Sequence, residues 1–91
     1  MKARHAGWER SGAEEHAAAY KEALGQMVHD RRVEIGLTQA ELTVHAGMMQ
    51  PQLSRLESGG ATPTVHLLAR LAAALDADLD IAFRPHRLAA A

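Results

Sequence analysis

The sequence contains no cysteine, which excludes disulfides, thiolate metal sites and a cysteine nucleophile. It has one tryptophan, one tyrosine and one phenylalanine, with only four valines and two isoleucines, too few β-branched and aromatic side chains for an all-β core. No apolar run approaches the roughly 20 residues a membrane span needs. The opening Met1-Lys2-Ala3-Arg4-His5 leads to Glu9 and Glu14 rather than to an apolar signal core, so a cytoplasmic protein is expected. An excess of basic charge is also missing. Ten Lys and Arg stand against eleven Asp and Glu, for a net charge of −1, and the basic footprint usual in nucleic-acid binders does not show in the sum. Any such role must rest on local placement.

Further absences concern chemistry. No two of the six histidines stand at i, i+3 or i+4, so no metal site is expected. Nothing positions a serine-histidine-carboxylate set, so the expectation is a protein that is not an enzyme and carries no cofactor. With 91 residues the chain is one small domain, or one domain plus a tail. It buries only about 60% of the surface exposed when unfolded, which argues against a large cleft. What is abundant is alanine, 19 residues, with leucine, arginine and glutamate, the composition of an all-α protein.

Periodicity and capping signals divide the chain. Residues 1–18 read as an N-terminal extension or arm, with Trp8 either a partner anchor or a staple. Ser11-Gly12-Ala13-Glu14 fits a capping box, and Tyr20, Leu24, Met27, Val28 and Ile35 form one helical stripe ended by Gly36. Thr38-Gln39-Ala40-Glu41 is a second capping box, opening a short helix that Gly47 stops. Pro51 fixes the start of a third helix near Gln50, and Ser58-Gly59-Gly60 ends it. Thr62-Pro63 predicts the start of a fourth helix, with Val65, Leu68, Leu71, Ala72 and Leu75 inward. Leu79, Ile81 and Phe83 then alternate with polar or small residues, which predicts a short C-terminal strand. Residues 19–76 thus form the domain, and 77–91 a strand and frayed tail.

Between Gln39 and Leu56 two short helices meet at a glycine turn. Leu42, Met48, Leu53 and Leu56 supply a small core that fixes their angle. The outer face of the second helix carries Gln50, Gln52 and Arg55, long polar side chains of the kind that read adenine and guanine in a major groove. Gly36-Leu37-Thr38-Gln39-Ala40-Glu41-Leu42, Ala46-Gly47 and Gln50-Pro51-Gln52-Leu53-Ser54-Arg55-Leu56-Glu57-Ser58-Gly59 together resemble the Xre/Cro family of helix-turn-helix DNA-binding proteins. The resemblance implies a lambda-repressor-like fold of five elements with a short C-terminal β-strand. It implies Gln39 against a phosphate, Gln50, Gln52 and Arg55 at base edges, Pro51 in apolar contact, and Ser54 at a phosphate. Within the family, the N-terminal extension and C-terminal strand are similar to HigA-type antitoxins, which implies a transcriptional repressor in a toxin–antitoxin operon with a small toxin as partner. Three positions depart from the family pattern: Thr43 replaces alanine, Met49 a capping serine or threonine, and Arg31 a leucine.

A lone strand has no internal partner, so Leu79, Ile81 and Phe83 are expected to pair across a two-fold homodimer. Such a dimer demands a palindromic double-stranded DNA operator. Two alternatives stay open: a stand-alone or phage-type regulator without a toxin, and a protein-interaction scaffold that no longer binds DNA.

Overall fold

The structure, a computed structural model, describes residues 2–85, with side chains from residue 12 onward. Four helices follow in order: α1 Lys2–Glu34, α2 Gln39–Ala46, α3 Gln50–Glu57 and α4 Val65–Ala74. Val28, Leu42, Ala46, Leu53, Leu56, Leu67, Leu71 and Leu75 form the buried core, with Leu24, Ile35, Leu37 and Met48 packed against it. Each of the eight is a small or aliphatic side chain, so the helices approach closely around α2 and α3.

The helix ends explain why so short a chain folds back on itself three times. Each end is closed by a left-handed residue followed by a backbone bond reaching five residues back. Gly36 (φ 78°), Gly47 (φ 67°), Gly59 (φ 84°) and Asp76 (φ 52°) take the left-handed position. The bonds are Leu37 N–H to Arg32 O (3.0 Å), Met48 N–H to Thr43 O (3.0 Å), Gly60 N–H to Arg55 O (2.8 Å) and Ala77 N–H to Ala72 O (2.9 Å). Asp76 does without glycine; aspartate is among the few other residues that visit this region routinely.

Five expectations need correction. The helix expected at Ser11 starts at Lys2, so the capping box there is passed through. Alanines at positions 3, 6, 13 and 17–19 favour helix over an end. The fourth helix starts at Val65, not at Pro63: Thr64 is its N-cap, accepting from the Leu67 N–H at 3.0 Å. Its inward face is accordingly Leu67, Leu71 and Leu75, whereas Val65 is exposed. No strand forms among the described residues; 77–85 have no regular structure. A strand exists only through a ladder, and among the described residues this segment has nothing to pair with. In place of the five elements expected ahead of that strand, the described residues hold four helices; the frayed tail expected at 86–91 lies outside the described residues, as does the side chain of Trp8. Along α1, finally, the stripe is only partly covered. Val28 is buried, but Tyr20 and Met27 are 67% and 61% exposed.

Candidate nucleic-acid interface

The turn between α2 and α3 is built locally and then fastened from outside. Thr38 caps α2 as expected: its hydroxyl accepts the Glu41 N–H at 3.1 Å, and the Glu41 carboxylate accepts the Thr38 N–H at 2.8 Å. These bonds, the backbone one first, hold the Glu41 carboxyl below its ordinary value. Thr43 is buried where the helices approach, and its hydroxyl donates to Ala40 O at 2.7 Å. The extra polar atom is thus satisfied within α2, which is how threonine stands in for alanine. At the other end, Arg70 of α4 donates to Ala46 O and Gly47 O, both at 2.9 Å. It closes the last carbonyls of α2 and pins the turn.

Met49 precedes α3 without a side-chain cap. Gln52 supplies only the reciprocal half of a capping box, its Oε1 accepting the Met49 N–H at 3.4 Å, a long bond. Pro51 lies in the first turn, where its missing N–H costs nothing.

A polar clamp sets the orientation of α3 relative to α1 and α2. Arg32 of α1 forks onto Glu57 at the end of α3, Nε to Oε2 at 2.7 Å and Nη2 to Oε1 at 3.0 Å. Its remaining nitrogen, Nη1, donates to Leu37 O at 2.9 Å. Gln39, the first residue of α2, donates from Nε2 to Glu57 Oε1 at 3.1 Å. Both charged side chains are largely desolvated, 12% exposed for Arg32 and 6% for Glu57. Burial alone would push the Glu57 carboxyl up; the hydrogen bonds from Arg32 and Gln39 outweigh it and leave it below its ordinary value. Although Asp30 and Glu34 lie close along α1, Arg32 turns to Glu57 of α3 instead. Arg31 does pair with Glu34, at 3.0 Å, and also donates to Leu75 O and Asp76 O at 2.9 and 3.0 Å. An arginine in place of the family's leucine therefore closes the end of α4.

The expected site residues are distributed as follows. Gln50, Pro51, Gln52, Ser54 and Arg55 are all exposed on α3, while Leu53 and Leu56 face inward. The Arg55 guanidinium lies against Gly60 O at 3.4 Å. Gln39 is half-buried at the start of α2. Its amide nitrogen is tied to Glu57, but the second proton on Nε2 remains for another acceptor. Leu79, Ile81 and Phe83 are 39%, 57% and 98% exposed. The sequence reading missed Arg32, Glu57 and Arg70 as positioning residues. Their partners across the fold lie 18–25 residues away along the chain, beyond any local pattern. Among the described residues no group of His, Asp or Glu could hold a metal, and no helix is long and apolar enough to cross a membrane.

Comparison with known proteins gives the same frame. The ImmF control region 10 kDa protein of Bacillus phage phi105 is 34% identical over 58 residues, 64% of this chain. The chain spans 64% of that relative's length. The crystal structure of the restriction-modification controller protein C.AhdI from Aeromonas hydrophila is similar with a TM-score of 0.64 and 27% identity, over 66% of this chain and 91% of that one. Residues 23–82 match the sequence profile of a helix-turn-helix domain, and with the capped α2, the Gly47 turn and the polar outer face of α3 at the matching positions, the chain belongs to the helix-turn-helix domain family.

Proposed function

We propose that the protein is a sequence-specific, double-stranded DNA-binding transcription regulator of the stand-alone controller type. The observation that carries this reading is the exposed polar face of α3, from Gln50 to Arg55, on a helix clamped from α1 and α2 through Glu57. Its long side chains suit adenine and guanine edges, and the clamp keeps them in a fixed register. Gln39 and Ser54 are assigned to phosphates, and Pro51 to apolar contact with a thymine methyl. Occupying a promoter blocks polymerase, so the mechanism requires no chemistry on substrate. Similarity to a restriction-modification controller protein and to a phage control-region protein supports a regulatory role for this chain. The antitoxin reading rested on the C-terminal strand and the N-terminal extension as an arm. Neither feature carries it now, and no relative named above is described by a toxin.

A homodimer belongs to the proposal. Two copies related by a two-fold axis, paired through Leu79, Ile81 and Phe83, would present two α3 helices to successive major grooves about 34 Å apart. The operator is then palindromic.

Arg55→Ala tests the reading face. The expected cost is about 1–3 kcal/mol on the preferred site, with relaxed base preference at one position per half-site. Gln39→Ala should weaken binding to all duplexes alike, as loss of a phosphate contact does. Fluorescence anisotropy on the preferred site and its single-base variants separates the two patterns. Arg55→Ala with unchanged affinity and preference would move the reading face elsewhere.

A further inference from the structure

The apolar stripe of α1 that stays uncovered does not end at the helix. Leu24, Met27 and Val28 of α1, Leu68, Leu71 and Ala72 of α4, and Leu75 and Leu79 line a cavity of about 380 Å³, with Arg31, Asp78 and Asp80 at its rim. Beside it, Tyr20 faces a second concavity formed with residues 80–85. Tyr20, Met27, Leu79 and Ile81, all exposed, border these two concavities, which meet at Asp80, and Phe83 stands almost wholly in solvent. Residues 78–85 make no backbone hydrogen bond with another described residue. A ladder of unused amides therefore lies next to an unfilled groove.

The charges around this segment select its occupant. Asp78 and Asp80 precede the apolar row and Arg84 follows it. Extended, Asp80 and Arg84 of one chain are about 13 Å apart, four residues at roughly 3.3 Å each, so they do not meet within one copy. Antiparallel pairing of two copies about Ala82 brings each Asp80 opposite the other copy's Arg84. It also brings each Ile81 opposite the other copy's Phe83, with all four apolar side chains on one face. Parallel pairing would set like charge against like. In a single copy residues 80–85 border the concavity at their own Tyr20; in the antiparallel arrangement the residues before the pivot stay over their own groove, as Leu79 does, and those after it cross to the groove of the second copy.

We propose that a second copy of this chain fills the groove, with Phe83 of each copy seated on the Tyr20–Leu24–Met27 stripe of the other. The inference rests on the dimer reading above and extends it, since it makes α1 the floor of the interface. It also explains why Tyr20 and Met27 stay exposed in one copy although they continue a helical stripe toward the core.

Sedimentation equilibrium on the full chain tests this. The wild type is expected to form dimers. Met27→Asp is expected to give monomers with unchanged helical circular dichroism, because Met27 is not part of the folded core. Met27→Leu should keep the dimer. Arg84→Asp should raise the dimer dissociation constant roughly tenfold, by setting like charges opposite one another, and Asp80→Arg with Arg84→Asp should restore it. A wild type that is monomeric overturns the proposal, as does a Met27→Asp protein as dimeric as the wild type or an exchange that restores nothing. Binding to a duplex carrying one half-site is measured alongside. A dimer that binds no duplex with sequence preference contradicts the DNA reading and leaves the pairing intact; a monomer that binds with preference does the reverse.

Discussion

Glu57→Ala is expected to cost the domain about 3–5 kcal/mol, the price of breaking a buried ion pair by removing one partner. The Arg32 guanidinium would be left in a largely desolvated position with only Leu37 O to accept from it, and Gln39 would lose its partner on α3. Urea unfolding followed by circular dichroism measures the loss. Glu57→Gln separates charge from shape. In the folded chain the Glu57 carboxyl is held below its ordinary value, so on acidification the unfolded chain takes up this proton first. The pair's contribution is thus fully present above the ordinary carboxylate value of about 4.3 and is lost as pH falls through the lower, folded value. The difference between wild type and Glu57→Gln should be largest at neutral pH and shrink below about pH 4. A difference that does not vary with pH would mean that the charge of Glu57 contributes nothing.

Gly25→Ala is expected to destabilise the domain by about 2–3 kcal/mol, although alanine is the better helix former by about 1 kcal/mol. Gly25 lies where α1 crosses the end of α3. A β-carbon there would fall 2.7 Å from Glu57 O and closer still to Leu56 O. Both obstacles are backbone, so neither can rotate away, and α1 must lift off α3. The melting temperature should drop by about 10–20 °C. Gly12→Ala is the control within the same helix. Nothing lies within 4 Å of that position, and the substitution should raise helicity without any loss of stability. Equal effects of the two substitutions would show that α1 does not press on α3.

These two sites mark the limit of what the sequence reveals. The Thr38 box, the left-handed Gly36 and Gly47 and the start of α3 at Gln50, marked by Pro51, were readable because each depends on neighbours within a few residues. The α2–α3 motif was readable for the same reason, and with it the exposed face of α3. Gly25 looks like a helix-weakening residue until α3 is laid across it. Arg32 has acidic neighbours at Asp30 and Glu34 that offer a local partner, yet the fold brings Glu57 closer. Thr62-Pro63 and Thr64 both carry capping signals, and the register of Leu67 and Leu71 against the core selects the second. The alternation of Leu79, Ile81 and Phe83 predicted a strand, but period two states only which side chains share a face. Whether a ladder forms depends on a partner that the described residues of one copy do not contain.

The measurement that bears most directly on the central claim is selection of binding sites by the full-length protein from random duplexes, followed by sequencing. The account predicts enrichment of two inverted half-sites about one helical turn apart, and selection with Arg55→Ala should lose the preference at one base pair in each half. Recovery of unenriched sequence by the wild type, or of a motif that Arg55→Ala leaves unchanged, would contradict it.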